Sequence, residues 1–464
     1  MSFLTNLFRI KPIQTTRESN LRQCLTATDL TLMGIGGIIG AGIFVLTGIA
    51  AATQAGPAII FSYLLAGLAC AFSALAYAEL STSVGGCGSA YGYAYSSLGE
   101  LIAWIIGWDL LLEYGMDGAT VSIGWSGYVQ DALSAFGIHL PQALLTDPFH
   151  HGIINLPAVL IIAFLAAILS AGANQSARVN KIIVFIKLAV IALFIFIGVW
   201  HFNPALWHPF LPFGVQGIVN GAGLIFFAYI GFDAVSTAAE EAINPQRDLP
   251  IGIIASLVIC TAVYIIVAGL LTSMVYYKDL NMSSPVAMAL MRLGYRFAGE
   301  IVALGAIAGL TSVILVMFYG ASRIFLAMAR DGLLPKPLMK VHAASQTPRR
   351  LIWLIGMIMA VAAGFFPINE VANLVNIGTL AAFVVVCTGV IVLRYTQPDM
   401  PRPFRVPGFP VVPILGILLC LYLMMSLPKI TWTSFGIWTL MGFVIYFGFS
   451  HWHSLLKTSS AVRS

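Results

Sequence analysis

Long apolar runs, separated by short polar connections, repeat along almost the whole chain. About 20 apolar residues cross the hydrocarbon core of a bilayer as a helix. On that measure the runs predict twelve crossings, over 29–53, 57–83, 98–133, 152–171, 181–201, 214–241, 250–277, 298–330, 351–367, 371–394, 409–428 and 431–453. The third and eighth are long enough to tilt or to project past the bilayer. A shorter stretch, Ser283–Leu293, predicts a helix lying over the outer mouth, in the place of a lid. The connections leave no room for a soluble domain.

Two of these runs interrupt themselves. Met33–Phe44 holds five glycines, Gly34, Gly36, Gly37, Gly40 and Gly42, and the sixth run holds Gly221, Gly223, Gly231 and an acid, Asp233. Glycine costs a helix roughly 1 kcal/mol against alanine, and backbone groups released inside a bilayer cannot turn to water. A span built to break therefore lines a cavity in which a polar ligand supplies the missing bonds. Runs one and six hold matching places in two sets of five, the pattern that marks the binding site of secondary transporters. An odd number of crossings makes the second set an inverted copy of the first. That repeat, 29–201 and 214–394, rests on topology, since no residue-level similarity joins the halves. A break exposes N–H groups at the positive end of a half-helix, where carboxylates bind, and frees carbonyls that attract an ammonium. An α-amino acid carries both charges on one carbon. Close helix packing is the competing reason for glycine in such runs.

Composition and charge sharpen this picture. Only 9% of residues are charged and 59% are hydrophobic, against about 25% charged in a soluble domain. Taking the N-terminus as cytoplasmic, 18 of the 23 lysines and arginines fall inside, and Lys278, Arg292, Arg296 and Lys429 fall outside. The bias supports the even count and cytoplasmic termini, 1–28 and 454–464, with the first span as its own insertion signal in place of a cleavable one. Net charge of +5 says nothing about nucleic acid, and with no basic stripe interleaved with aromatics no nucleic-acid partner is expected. The six cysteines lack metal-ligand spacing, no nucleotide-binding loop is present, and no histidine pairs with an acid inside a span, so no cofactor, metal site or enzyme is expected.

The motifs agree with one family. Gly36-Gly37-Ile38-Ile39-Gly40-Ala41-Gly42-Ile43-Phe44, Phe226-Phe227-Ala228-Tyr229-Ile230-Gly231-Phe232-Asp233, Asn244–Pro250, Ser322-Arg323 with Ala327–Pro335, and Arg402–Gly408 together resemble the amino acid–polyamine–organocation superfamily. Within it, the bacterial members of the cationic amino acid transporter branch are the most similar. The resemblance implies an all-α integral membrane protein of 12 transmembrane helices. They form a 5+5 inverted repeat with discontinuous first and sixth helices, plus two added helices over 409–453. It also implies a substrate site at Ile38, Ile39, Gly40, Ala41 and Gly42. N–H groups around Gly40, Ala41 and Gly42 would hold the carboxylate. Carbonyls near Ile38, Phe227, Ala228 and Ile230 would hold the amino group, and the Phe227 ring would close over it. In relatives, position 227 is tryptophan in some and position 41 is often Ser or Thr, so one hydroxyl contact is missing here.

A charge at the bilayer centre costs at least ~2.5–3.5 kcal/mol, so such groups usually have a task. Lys187 lies about 9 Å deep, six residues past Lys181, at 1.5 Å per residue. Snorkelling to the cytoplasmic surface is one reading. The resemblance gives another: the ammonium stands where sodium-coupled cousins bind their ion, bonding carbonyls near Gly36 and Gly37 when protonated and releasing them when neutral. Asp233 either caps the second half of its span or faces the substrate. Glu113, with Asp109 and Asp117 one turn either side of it, is the candidate reader of a basic side chain, or else a buried acid bonded to a hydroxyl. Thr311 and Ser312 either shape the cavity near Lys187 or make ordinary interhelical bonds. Glu79 closes the second span and is expected at the interface.

The function these readings predict is proton-coupled symport of amino acids across the cell membrane by alternating access, cationic ones first and small neutral ones next. Amino acid exchange without net proton movement is the alternative, and a non-transporting membrane subunit the remote one. Partners are the amino acid, protons and lipid; nothing in the sequence sets an oligomeric state.

Overall fold

The computed structural model describes residues 7–13, 21–135, 137–150, 152–282, 284–366, 368–427 and 429–456. Among these residues there is no strand, only the isolated bridges Leu25–Ala242 and His342–Thr347. Parts of 1–28 and 454–464, with Arg17, Lys457 and Arg463 of the charge pattern, lie outside the described residues, as does Ser283 of the expected lid.

The helices are α1 (Ala27–Ile38), α2 (Gly42–Leu46, Thr47–Ala50 and Ala51–Ala55 in sequence), α3 (Ile59–Ser83), α4 (Ser89–Ser97), α5 (Glu100–Leu111) and α6 (Asp117–Ala135). Then follow α7 (Leu156–Ala171), α8 (Ala173–Trp200), α9 (Gly214–Ile225), α10 (Ala234–Thr237), α11 (Pro245–Met274) and α12 (Pro285–Arg292). The last are α13 (Arg296–Arg330), α14 (Arg349–Phe365), α15 (Ile368–Thr396), α16 (Val411–Met425) and α17 (Lys429–Ile445). Seven helical stretches among the described residues are long and apolar enough to cross a membrane: Ala27–Ser83, Ser176–Trp200, Gly214–Thr237, Pro245–Met274, Arg296–Arg330, Leu374–Thr396 and Lys429–His453. Leu156–Ala171 and Val411–Met425 are apolar but shorter.

Local chemistry sets several boundaries. Thr26 and Asp29 form a reciprocal capping box that starts α1. Proline opens α11 and α12, where its missing N–H costs nothing. Both interrupted runs are seen as breaks: α1 stops at Ile39, which is extended, and the chain from Phe226 to Asp233 passes from a tight turn through Gly231 at φ 118° before α10 begins. A wide turn over Leu112–Met116 joins α5 to α6.

Large apolar side chains also stand exposed around the outside. Phe196, Trp200, Val215, Val258, Met425 and Val444 are all more than half exposed, an outer belt suited to lipid. Inside, α11 packs along α3 and α1, α13 along α6 and α8, and α15 on α16. One helix had no signal in the apolar pattern: α4, buried and rich in tyrosine, fills the connection after α3. Glu79 is fully buried, with Arg394 at 2.5 Å, Arg402 at 3.5 Å and the Val406 N–H at 2.6 Å, so the loop after α15 folds back over it.

A buried ion pair ties the interrupted runs to α13. Arg323 Nη2 lies 2.7 Å from Glu241 Oε1, both side chains 1% exposed, and the Tyr319 hydroxyl donates to Glu241 Oε2. The Glu241 carbonyl accepts the N–H groups of Cys24 and Leu25 ahead of α1, at 2.9 and 3.0 Å. Removing one partner of a buried pair strands the other charge at a cost of about 3–5 kcal/mol. Glu241→Gln should lose that much in thermal unfolding of the purified protein, and adding Arg323→Met should recover most of it. Equal melting of Glu241→Gln and wild type would refute this role.

Candidate functional site

The first break has an electrostatic partner. Lys187, from the middle of α8, is fully buried. Its Nζ donates toward the carbonyls of Ile35 and Gly36 at 3.0 Å and of Ile39 at 2.8 Å, and to Ser312 Oγ at 2.8 Å. Ser312 in turn sits 2.9 Å from the Gly36 carbonyl. Among the described residues no carboxylate forms an ion pair with Lys187, so backbone carbonyls and the Ser312 hydroxyl are what face its ammonium. The sequence reading placed Gly36 and Gly37 beside it. Gly36 is there, but Gly37 is turned to the second broken run. Thr311 is engaged elsewhere, accepting the Trp125 indole N–H at 2.9 Å and donating to the Ile307 carbonyl at 2.8 Å.

The Gly40 carbonyl accepts the Phe44 N–H at 3.3 Å, so a helix restarts at Gly40. Its first N–H groups, those of Ala41, Gly42 and Ile43, have no carbonyl one turn earlier in that helix. The two broken runs meet there. A Cβ on Gly42 would lie 2.2 Å from the Ala228 Cβ, and one on Gly231 would lie 2.8 Å from the Gly37 backbone. The carbonyls of Ile38 and Ala228 converge on one atom, the Tyr264 hydroxyl oxygen, at 2.6 and 2.8 Å. The Phe227 carbonyl accepts the Ile230 N–H at 3.3 Å. Ala41 and Phe227 are half-buried; Ile38, Ile39, Gly40, Gly42, Ala228 and Ile230 are buried. Glycine here thus serves both purposes weighed above, breaking the helices and letting them touch.

Asp233 immediately precedes α10, and both of its carboxylate oxygens are engaged. Its Oδ1 accepts the Gly231 N–H at 3.3 Å, two residues upstream, and not an N–H of α10; its Oδ2 accepts the Tyr114 hydroxyl. The side chain therefore pins the break to the wide turn between α5 and α6. Glu113, in that same turn, is buried with neither carboxylate oxygen hydrogen-bonded, and Asp109 and one oxygen of Asp117 are likewise unpaired. Asp109 leans on Gly378, whose added Cβ would lie 2.8 Å from Oδ1, and the Thr379 hydroxyl near Glu113 is spent on the Val375 carbonyl at 3.0 Å. Buried acids without partners call for water, a proton or a ligand group.

Three tyrosines that the sequence reading passed over hold the site together. Besides Tyr264 and Tyr114, the Tyr63 hydroxyl reaches the Gly42 carbonyl at 3.1 Å and Thr47 Oγ1 at 2.6 Å. A signal was there: a tyrosine deep in an apolar run needs a partner for its hydroxyl.

Residues 25–449 match the model of the family described as amino acid permease. A methylthioribose transporter of Bacillus subtilis is 48% identical over 98% of this chain and all of its own length. A branched-chain amino acid permease, BcaP, of Bacillus subtilis is 47% identical over 97% of this chain and 99% of its own. Cationic amino acid transporter 4 of Mus musculus is 38% identical, covering 86% of this chain and 64% of the mouse protein.

Proposed function

The chain belongs to the amino acid permease family, and we propose that it carries amino acids across the cytoplasmic membrane by alternating access, driven by protons through Lys187. The observation that carries the reading is the meeting of two interrupted helices, with N–H groups at the start of α2 and the Ile38 and Ala228 carbonyls beside them. These are complementary groups for the two ends of a zwitterion. Twelve crossings in a 5+5 inverted repeat, with spans over 409–453 added, follow as the architecture. Its sidedness has support in the ion pairs. Lys11–Asp331, Lys181–Asp29, Arg323–Glu241, Arg330–Glu240 and Arg394–Glu79 join residues assigned inside, and Arg292–Asp279 and Arg296–Glu300 join residues assigned outside.

For the substrate, a neutral apolar side chain now comes ahead of a cationic one, reversing the order drawn from the sequence. Both Asp233 oxygens already hold donors, and the acids left without them, Glu113, Asp109 and one oxygen of Asp117, are buried along the stretch from α5 to α6. Two relatives similar over nearly their whole length also bear the name branched-chain amino acid permease. Thermal stabilisation of the purified protein by each of the twenty amino acids and by methylthioribose, at pH 5 and pH 7.5, tests the assignment. Stabilisation by valine, leucine or isoleucine is expected. Arginine or lysine acting alone would restore the cationic order, and methylthioribose acting alone would overturn the amino acid reading.

A further inference from the structure

We propose that Tyr264 is a positioning residue for the amino-group end of the transport site; the proposal rests on the amino acid reading above. Tyr264 lies in α11, outside both interrupted runs, and is fully buried. Its hydroxyl touches one carbonyl from each run, Ile38 at the end of α1 and Ala228 in the tight turn before Gly231. A phenol has one proton to give, so the two carbonyls share a single donor and are drawn toward one point. Each carbonyl has a second lone pair, which stays open to an ammonium. The spacing that an incoming amino group meets is therefore set by an atom of a third helix.

The ring is held independently of the hydroxyl. It packs on Tyr63 and Tyr229, with centroids 5.1 and 5.4 Å away. Phenylalanine at 264 keeps that packing and removes only the donor, so the two buried carbonyls lose their common tether while the fold keeps its shape. Tyr63 offers a matched control. It is as buried, and its hydroxyl also serves a break carbonyl, that of Gly42, which has a second donor in Thr47 at 3.0 Å.

The experiment measures binding to wild type, Tyr264→Phe and Tyr63→Phe. The probes are the amino acid that most stabilises wild type and its des-amino analogue, the same acid with hydrogen in place of the α-amino group. Tyr264→Phe should weaken the amino acid at least tenfold and leave the analogue within about twofold, compressing the ratio of the two. Tyr63→Phe should leave that ratio unchanged. An unaltered ratio in Tyr264→Phe, with wild type responding normally, would overturn the role of Tyr264. Failure of wild type to respond to any amino acid would overturn the transport reading instead. If Tyr264→Phe does not fold, Tyr264→Gln, whose amide supplies two N–H donors, must fold with the ratio retained; a folded Gln variant with the ratio compressed overturns the proposal.

Discussion

Replacing Lys187 with alanine is expected to abolish uphill uptake driven by a pH gradient while leaving folded protein in the membrane. The expectation comes from counting donors. A protonated lysine has three N–H groups, and Nζ faces the carbonyls of Ile35, Gly36 and Ile39 with Ser312 Oγ beside them. Loss of one proton leaves two donors and turns a lone pair toward carbonyl oxygens. The Ile35 and Gly36 carbonyls keep a second donor, in the Ile39 N–H and the Ser312 hydroxyl, but all three lose the ammonium charge, and a charge-assisted bond is worth about 1.5–3 kcal/mol. That is enough to shift a two-state balance by roughly ten- to a hundredfold. The cost falls on α1 at its break, next to the N–H groups proposed for the carboxylate, so a proton on Lys187 and a bound carboxylate would act on one element. Alanine removes the switch altogether. Proteoliposomes with an imposed pH gradient should accumulate substrate with wild type and not with Lys187→Ala, while counterflow exchange at fixed pH persists. Undiminished pH-driven accumulation by the variant would rule out this coupling. Loss of counterflow along with it would mean that Lys187 shapes the substrate site and is not a proton switch.

The glycines made both breaks legible in the sequence, because only proline lowers helix propensity more and neither run contains one. Lys187 was legible as a buried charge, but its partners were not fully so. Carbonyls of a broken helix point in directions set by local dihedrals, and so Ile35 and Ile39 took the places expected near Gly37. Asp233 was legible as an acid beside a break. Its partner Tyr114 is 119 residues away in the chain, a separation at which no periodicity carries information. The same holds for Tyr264 on Ile38, 226 residues apart. α4 escaped notice because Tyr91, Tyr93 and Tyr95 alternate with glycine and alanine there between serines, without an apolar face, and its helicity comes from burial between larger elements.

Gly231→Ala is expected to do far more damage than Gly40→Ala, although both replace a break glycine. At Gly231 the backbone stands at φ 118°, a region L-residues avoid, which costs about 1–3 kcal/mol before any contact is considered. The new methyl would then lie 2.8 Å from the Gly37 carbonyl carbon and 2.9 Å from Met317 Cε. Met317 can swing aside, but Gly37 belongs to the other broken run, so relief requires the two segments to part. Parting them breaks the register of the Ile38 and Ala228 carbonyls on Tyr264 and pulls at the Gly231 N–H held by Asp233. At Gly40 the methyl meets only the Val313 side chain, at 2.5 Å, a rotatable neighbour whose shift costs about 1–3 kcal/mol and leaves the crossing intact. Uptake should therefore fall by about a hundredfold or more in Gly231→Ala, a loss equivalent to two steps of 1.4 kcal/mol, and by about tenfold in Gly40→Ala, with the melting temperature following the same order. Equal activity of Gly231→Ala and wild type would mean that the two interrupted helices need not touch at Gly37, and the paired-break site would lose its geometric basis.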